Sequence, residues 1–240
     1  MVLTEFEFVN GLLSLIFVII SIIVGIKIIS KYFEYKRKEF LLVGITWIGI
    51  VEPWFPSSIS FLCGALTGHG LSLELYVLIG NVGIPITFNI WFIAFTDFCC
   101  EKKRKLILVL YNIYGLFFEI VLFYLLFTNP RNIGELQGLV DIEYQNIFGI
   151  LLITKILLIT ITGIIFSVPS IRSDLQELRI RGKLLIVAFF SYAIGAYLDA
   201  GIPLNLLIII LTRILLILSA LEWYSGFLLP KWMRKLFINE

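Results

Sequence analysis

A single histidine and three cysteines are all that this 240-residue chain offers of the side chains that bind soft metals. His69 sits in the turn "TGHGL", so a metal centre or haem lacks its ligands, and Ser-His-Asp catalysis lacks a buried base. Cys63 falls near the outer end of an apolar run while Cys99 and Cys100 fall at the opposite, reducing end, so no disulfide is expected. Charge is scarce too: 15% of the residues are charged against 60% hydrophobic, with mean hydropathy +1.00. A soluble core with a polar shell is excluded, and no nucleic-acid partner, cofactor or enzymatic activity is expected. The composition is that of an integral membrane protein.

Seven stretches are long enough, about 20 residues each, to cross a hydrocarbon layer roughly 30 Å thick as helices. They lie near residues 8–30, 40–63, 72–98, 106–127, 147–170, 184–200 and 203–228. The expectation is an all-α, multi-pass bundle in the cell membrane, one domain over 1–228 followed by a short amphipathic tail over 229–240. The sixth run is the shortest, and a six-span reading with one broken hairpin stays open. Charge favours seven. Lys31, Lys36, Arg37 and Lys38 follow the first run, Lys102 to Lys105 the third, Arg172, Arg179, Arg181 and Lys183 the fifth, and Lys231, Arg234 and Lys235 the seventh. Cytoplasmic loops collect such residues, which puts the N-terminus outside and the C-terminus inside. The first run has acids before it and no small-residue cleavage site, so it is expected to stay as a span rather than be removed as a signal.

Four charges fall deep within these runs: Glu52, Glu119, Lys155 and Arg213. Each costs about 2.5–3.5 kcal/mol at mid-membrane, on the order of 10–14 kcal/mol together, so they must face inward and find partners. Counting about 1.5 Å of rise per residue matches the depth of Glu119 to that of Lys155 and the depth of Glu52 to that of Arg213. Two ion pairs are therefore expected. Polar residues recur beside them at helical spacing: Asn81, Pro85, Asn89 and Thr96 in the third run, and Asn112, Gly115 and Glu119 in the fourth. In the seventh, Asn205, Arg213, Ala220 and Tyr224 share a face. These stripes point to a polar cavity in the outer half, with Trp54, Tyr76 and Asp199 at its rim. The expected ligand site is Glu52, Asn81, Asn89, Glu119, Lys155 and Arg213, although each charge pair can equally be packing glue.

The stretch "VEPWFPSS" interrupts the second run beside Glu52. Pro53 and Pro56 lack backbone N–H groups and are expected to leave the carbonyls of Gly49 and Glu52 unpartnered, to be filled by Ser57, Ser58, water or a neighbouring helix. With Pro85 these prolines are the candidate hinges. The 128–146 loop reads as a connector rather than a lid. A weak internal echo, Glu52 and Pro56 against Asp199 and Pro203, and Trp91 and Phe95 against Trp223 and Phe227, raises a 3+1+3 repeat: 8–98, a linker helix 106–127, and 147–228.

A retinal protein needs a lysine deep in its last span, where this chain has Arg213, and aspartyl chemistry needs Glu52 and Glu119 brought together. "EPWFPSSISF", "GAYLDAGIPLN" and "RILLILSALEWYSGFLLPKW" resemble uncharacterised archaeal seven-helix membrane proteins. That resemblance implies topology and assigns no site. In topology alone the chain also resembles receptors of the G-protein-coupled type, from which it departs in lacking their outer-loop disulfide and Asp-Arg-Tyr-like motif, "TDFCCEKKRK" being the nearest match. The leading expectation is a receptor-like sensor that binds a small molecule in an outward cavity and acts through a cytoplasmic signalling partner, with membrane lipids around it. A small-molecule or proton-coupled transporter and a structural subunit are the alternatives.

Overall fold

Among the described residues, seven helices are long and apolar enough to cross a membrane. The structure is a computed structural model and describes residues 3–202 and 205–237. Helix α1 (Glu5–Tyr35) is the first span, and a break divides the second into α2 (Lys38–Ile50) and α3 (Phe55–Thr67). The third is likewise divided, into α4 (Leu73–Asn81) and α5 (Ile84–Cys99). Continuous helices follow: α6 (Arg104–Thr128), α7 (Asn146–Ile171), α8 (Gln176–Gly201) and α9 (Leu206–Leu228). Helix α8 starts at Gln176, before the apolar run expected over 184–200, and it is one of the seven helices long and apolar enough to cross a membrane. Pro203, and with it half of one repeat signature, lies outside the described residues.

Six spans close into a ring. Helix α1 packs on α2, α3 and α9; α9 on α8; α8 on α7; α7 on α5; and α5 on α2. Helix α6 leans on the outside of α5 and is the least buried span, with 22% of its apolar window covered against 39–56% in the others. Apolar side chains such as Leu106, Leu110, Ile113 and Ile120 cover its exposed face, as a lipid-facing helix requires.

The ends of the ring differ. At one, the connector expected over 128–146 is a folded element: strands β1 (Gly134–Gln137) and β2 (Asp141–Tyr144) pair antiparallel. The turn between them holds Gly138 at φ +69°, a left-handed conformation that glycine adopts without steric penalty. Ile133, Val140 and Ile142 from this segment are buried, so the hairpin caps the ring. At the other end sit the basic clusters, where Asp97 binds both Lys38 and Arg104, each at 2.7 Å. The short tail helix α10 (Lys231–Phe237) follows Pro230 and exposes Trp232, Leu236 and Phe237. Its Arg234 pairs with Glu177 at the start of α8.

Candidate functional site

The two broken spans face each other, and the break in span two serves the one in span three. Residues Glu52–Trp54 form a single 3-10 turn, and the carboxylate of Glu52 accepts a hydrogen bond from the backbone N–H of Gly83 at 2.6 Å. Gly83 is the residue at which α5 begins. A carboxylate from span two therefore caps a half-helix of span three, where the helix dipole favours negative charge. Closeness demands glycine here: a Cβ on Gly83 would stand 2.5 Å from Glu52 Oε2, and one on Gly80 would stand 3.0 Å from Pro56 Cγ.

Pro53, Pro56 and Pro85 each occupy the first turn of a helical segment, where a missing N–H removes no bond. The expectation of a loose carbonyl at Glu52 is not met, because Glu52 O accepts from Phe55 N. The carbonyl that does need outside help is that of Ile50, and Tyr192 on α8 donates its hydroxyl to it at 2.9 Å. Ser58 turns back to Trp54 O at 2.9 Å.

The depth-matched pairs do not form. Arg213 is fully buried and reaches Asp199 rather than Glu52, with Nη1 2.7 Å from Asp199 Oδ1, a charge contact lying off hydrogen-bond direction. Its Nη2 and Nε donate to Asn10 Oδ1 at 2.8 and 3.3 Å. The other oxygen of Asp199 accepts from Trp54 Nε1 at 2.8 Å. A network thus ties α1, α8 and α9 to the break in span two. Depth is one coordinate of a helix position, and the angular position about each axis, which decides the partner, is the one that counting residues omits. Asn10 had a visible signal, a lone amide in the apolar run "EFEFVNGLLSL".

Lys155 stands differently. It is 3% exposed, makes no ion pair with Glu119 within 4.0 Å, and among the described residues its ammonium has no hydrogen-bond partner. It lies 3.3 Å from the centre of the Phe118 ring and 5.6 Å from that of Phe88, a cation–π placement. Glu119 and Glu52 are the carboxylates within its electrostatic reach. Glu119 keeps one buried oxygen without a partner.

Lys155 also lines a cavity of about 70 Å³ between spans two, three, five and six, beneath the hairpin. Trp54, Tyr76 and Asp199, expected at the rim, line it too. Of the six residues expected to bind a ligand, Lys155 lines this cavity and the other five do not. Asn81 instead donates to Val77 O at 2.9 Å and to Tyr144 Oη at 3.0 Å. Asn89 donates to Asn112 on α6, so the polar stripes of spans three and four meet each other instead of the cavity. Glu52, Glu119 and Arg213 lie outside its lining.

The hairpin roofs this cavity with Asp141, Ile142 and Tyr144. Side chains from three helices hold it down. Glu7 on α1 accepts from Leu139 N at 2.8 Å, Ser60 on α3 donates to Leu139 O, and Tyr76 on α4 donates to Val140 O at 3.0 Å. Tyr76 also shares a 2.6 Å contact with Ser57 Oγ. Beyond the roof lies a wider vestibule of about 590 Å³, which shares Asp141, Tyr144 and Asp199 with the inner cavity. Burial and the Asp199 carboxylate push Asp141 up to about 7.

Toward the basic end an aromatic cluster fills the ring. Trp47 stacks on Trp223 at 4.8 Å, Trp91 and Phe189 pack on Trp223 at 6.1 and 5.0 Å, and Phe166 and Phe227 complete it. Phe166 and Phe227 also line a crevice of about 510 Å³ that opens at the basic end beside Arg37 and Arg181. Vestibule, roof, cavity, aromatic floor and crevice therefore follow one another along the ring. Among the described residues no group of three His, Cys, Asp or Glu side chains is placed to hold a metal. Compared with protein-family models, with curated proteins and with solved structures, the chain matches none.

Proposed function

We propose that this protein is a receptor-like membrane sensor that binds a small molecule in the cavity beneath the hairpin. The observation that carries this reading is a buried lysine on the wall of a roofed cavity, its ammonium without a hydrogen-bond partner among the described residues. Intramembrane charge of this kind is by default functional. The clustering of basic residues at the opposite end supports an orientation with the hairpin and the N-terminus outside and the tail in the cytoplasm. In that orientation the vestibule faces the exterior, and the crevice beside Arg37 and Arg181 faces a cytoplasmic signalling partner.

The aromatic floor favours a sensor over a transporter. A transported solute would have to part the stacked Trp47 and Trp223, both fully buried, whereas a sensor needs only to shift them. Cavity filling tests the reading: Ala196 lines the cavity and is buried, so Ala196→Phe should fold yet lose any small molecule that co-purifies with the wild type from native membranes. Retention of that molecule by the variant would remove the cavity as its site. Flux of the same molecule across proteoliposomes would establish the transporter instead.

A further inference from the structure

We infer that the cavity takes a compact monoanion of short-chain carboxylate size, its charged oxygen held by the Lys155 ammonium. This deepens the sensor reading and rests on it.

Two other buried charges in this half of the bundle meet polar groups of the chain: Arg213 faces Asp199 and donates to Asn10, and Glu52 accepts from the Gly83 N–H at the start of α5. Lys155 has ring faces only, from Phe118 and Phe88. An aromatic face attracts an ammonium but offers no lone pair in the direction of its N–H bonds, so a buried ammonium on rings alone still needs an acceptor. Glu119 supplies opposite charge at a distance and no direct contact, since no ion pair forms within 4.0 Å.

Size narrows the ligand. An apolar cavity of about 150 Å³ holds benzene. The cavity here, about 70 Å³, is roughly half of that and suits a solute of about three to five heavy atoms. Its walls limit polarity as well. Trp54, Phe88, Leu152 and Ile156 surround the space, which suits a short alkyl body behind the charged group. Asp199 on α8 brings a carboxylate to the lining beside the roof, which disfavours a dianion such as sulfate more than a monoanion.

The experiment titrates the full chain in lipid nanodiscs with propionate, propanol, acetamide, hexanoate and sulfate, following thermal unfolding and ligand-observed NMR. Propionate should bind and stabilise. Propanol and acetamide should bind more weakly, and hexanoate and sulfate should not compete. Lys155→Met should weaken propionate roughly 10- to 100-fold, the scale of a lost charge-assisted hydrogen bond, and leave propanol unchanged. Lys155→Arg should retain part of the preference. Equal binding of propionate and propanol by the wild type, or propionate binding unaffected in Lys155→Met, would overturn the ligand class while leaving a cavity sensor standing. Binding of none of these solutes by a wild type that still carries a co-purified molecule displaced by Ala196→Phe overturns the class again. Binding of none, with no such molecule, overturns the class and the sensor reading together.

Discussion

Arg213 and Lys155 are both cations buried among the spans, and the protein treats them in opposite ways. Arg213 is enclosed by an acid, an amide and, through Asp199, the indole of Trp54. Lys155 rests on two rings beside a cavity. A charge whose partners come from the chain itself fastens helices together. One whose partners are incomplete is open to something from outside, so a count of intramembrane charges says little until each is sorted by whom it touches.

Removing the fastened charge should do the most damage. Arg213→Met leaves Asp199 without its cation and should destabilise the bundle by about 3–5 kcal/mol, the range for breaking a buried pair from one side, seen as early unfolding in a detergent titration. Glu52→Leu should follow, at about 1–3 kcal/mol, because the Gly83 N–H then has no acceptor in an apolar interior. Hydrogen exchange should rise at the start of α5 and leave the far end of that helix unchanged. Tyr192→Phe, which strips the Ile50 carbonyl of its donor, should be milder, about 1–2 kcal/mol. Lys155→Met should change stability within about 1 kcal/mol or increase it, since it replaces a buried charge lacking an ion pair by an apolar side chain. A loss as large as that of Arg213→Met would end the contrast between the two cations.

The smallest effect concerns the roof. Asp141 holds its proton more tightly in the folded protein than its ordinary value of 3.8 allows, up to about 7. The favourable contribution is therefore complete below 3.8 and is lost as pH rises through about 7. Asp199 and Glu143 act on it from the acidic side and Arg213 from the basic. With the intrinsic base-catalysed rate divided out, protection of the Leu139 and Val140 amides should accordingly be greater at pH 5 than at pH 8, and Asp141→Asn should flatten that difference.

Length and hydropathy carry the seven spans, because a membrane imposes both on every crossing helix independently of its neighbours. Hydropathy does not mark where α8 starts: Glu177, Arg179, Arg181 and Lys183 make that stretch polar, yet it is helical. The breaks in spans two and three had proline and glycine markers at residues 53, 56, 83 and 85. The capping of one by the other had none, since it joins residues 31 apart in the chain. The site was legible as a set of charges and a rim, Trp54, Tyr76 and Asp199. What remained hidden was which charges the chain satisfies internally, a question of azimuth and helix adjacency.

The link from Glu52 to Gly83 also constrains how the protein is made. Span two leaves the ribosome first, with its carboxylate destined for mid-membrane and its capping N–H not yet synthesised. Alone, that carboxylate carries the full insertion penalty of about 2.5–3.5 kcal/mol. Spans two and three should therefore partition into lipid as a pair, held at the translocon until the second has emerged, and a truncation ending before Gly83 should leave span two poorly inserted.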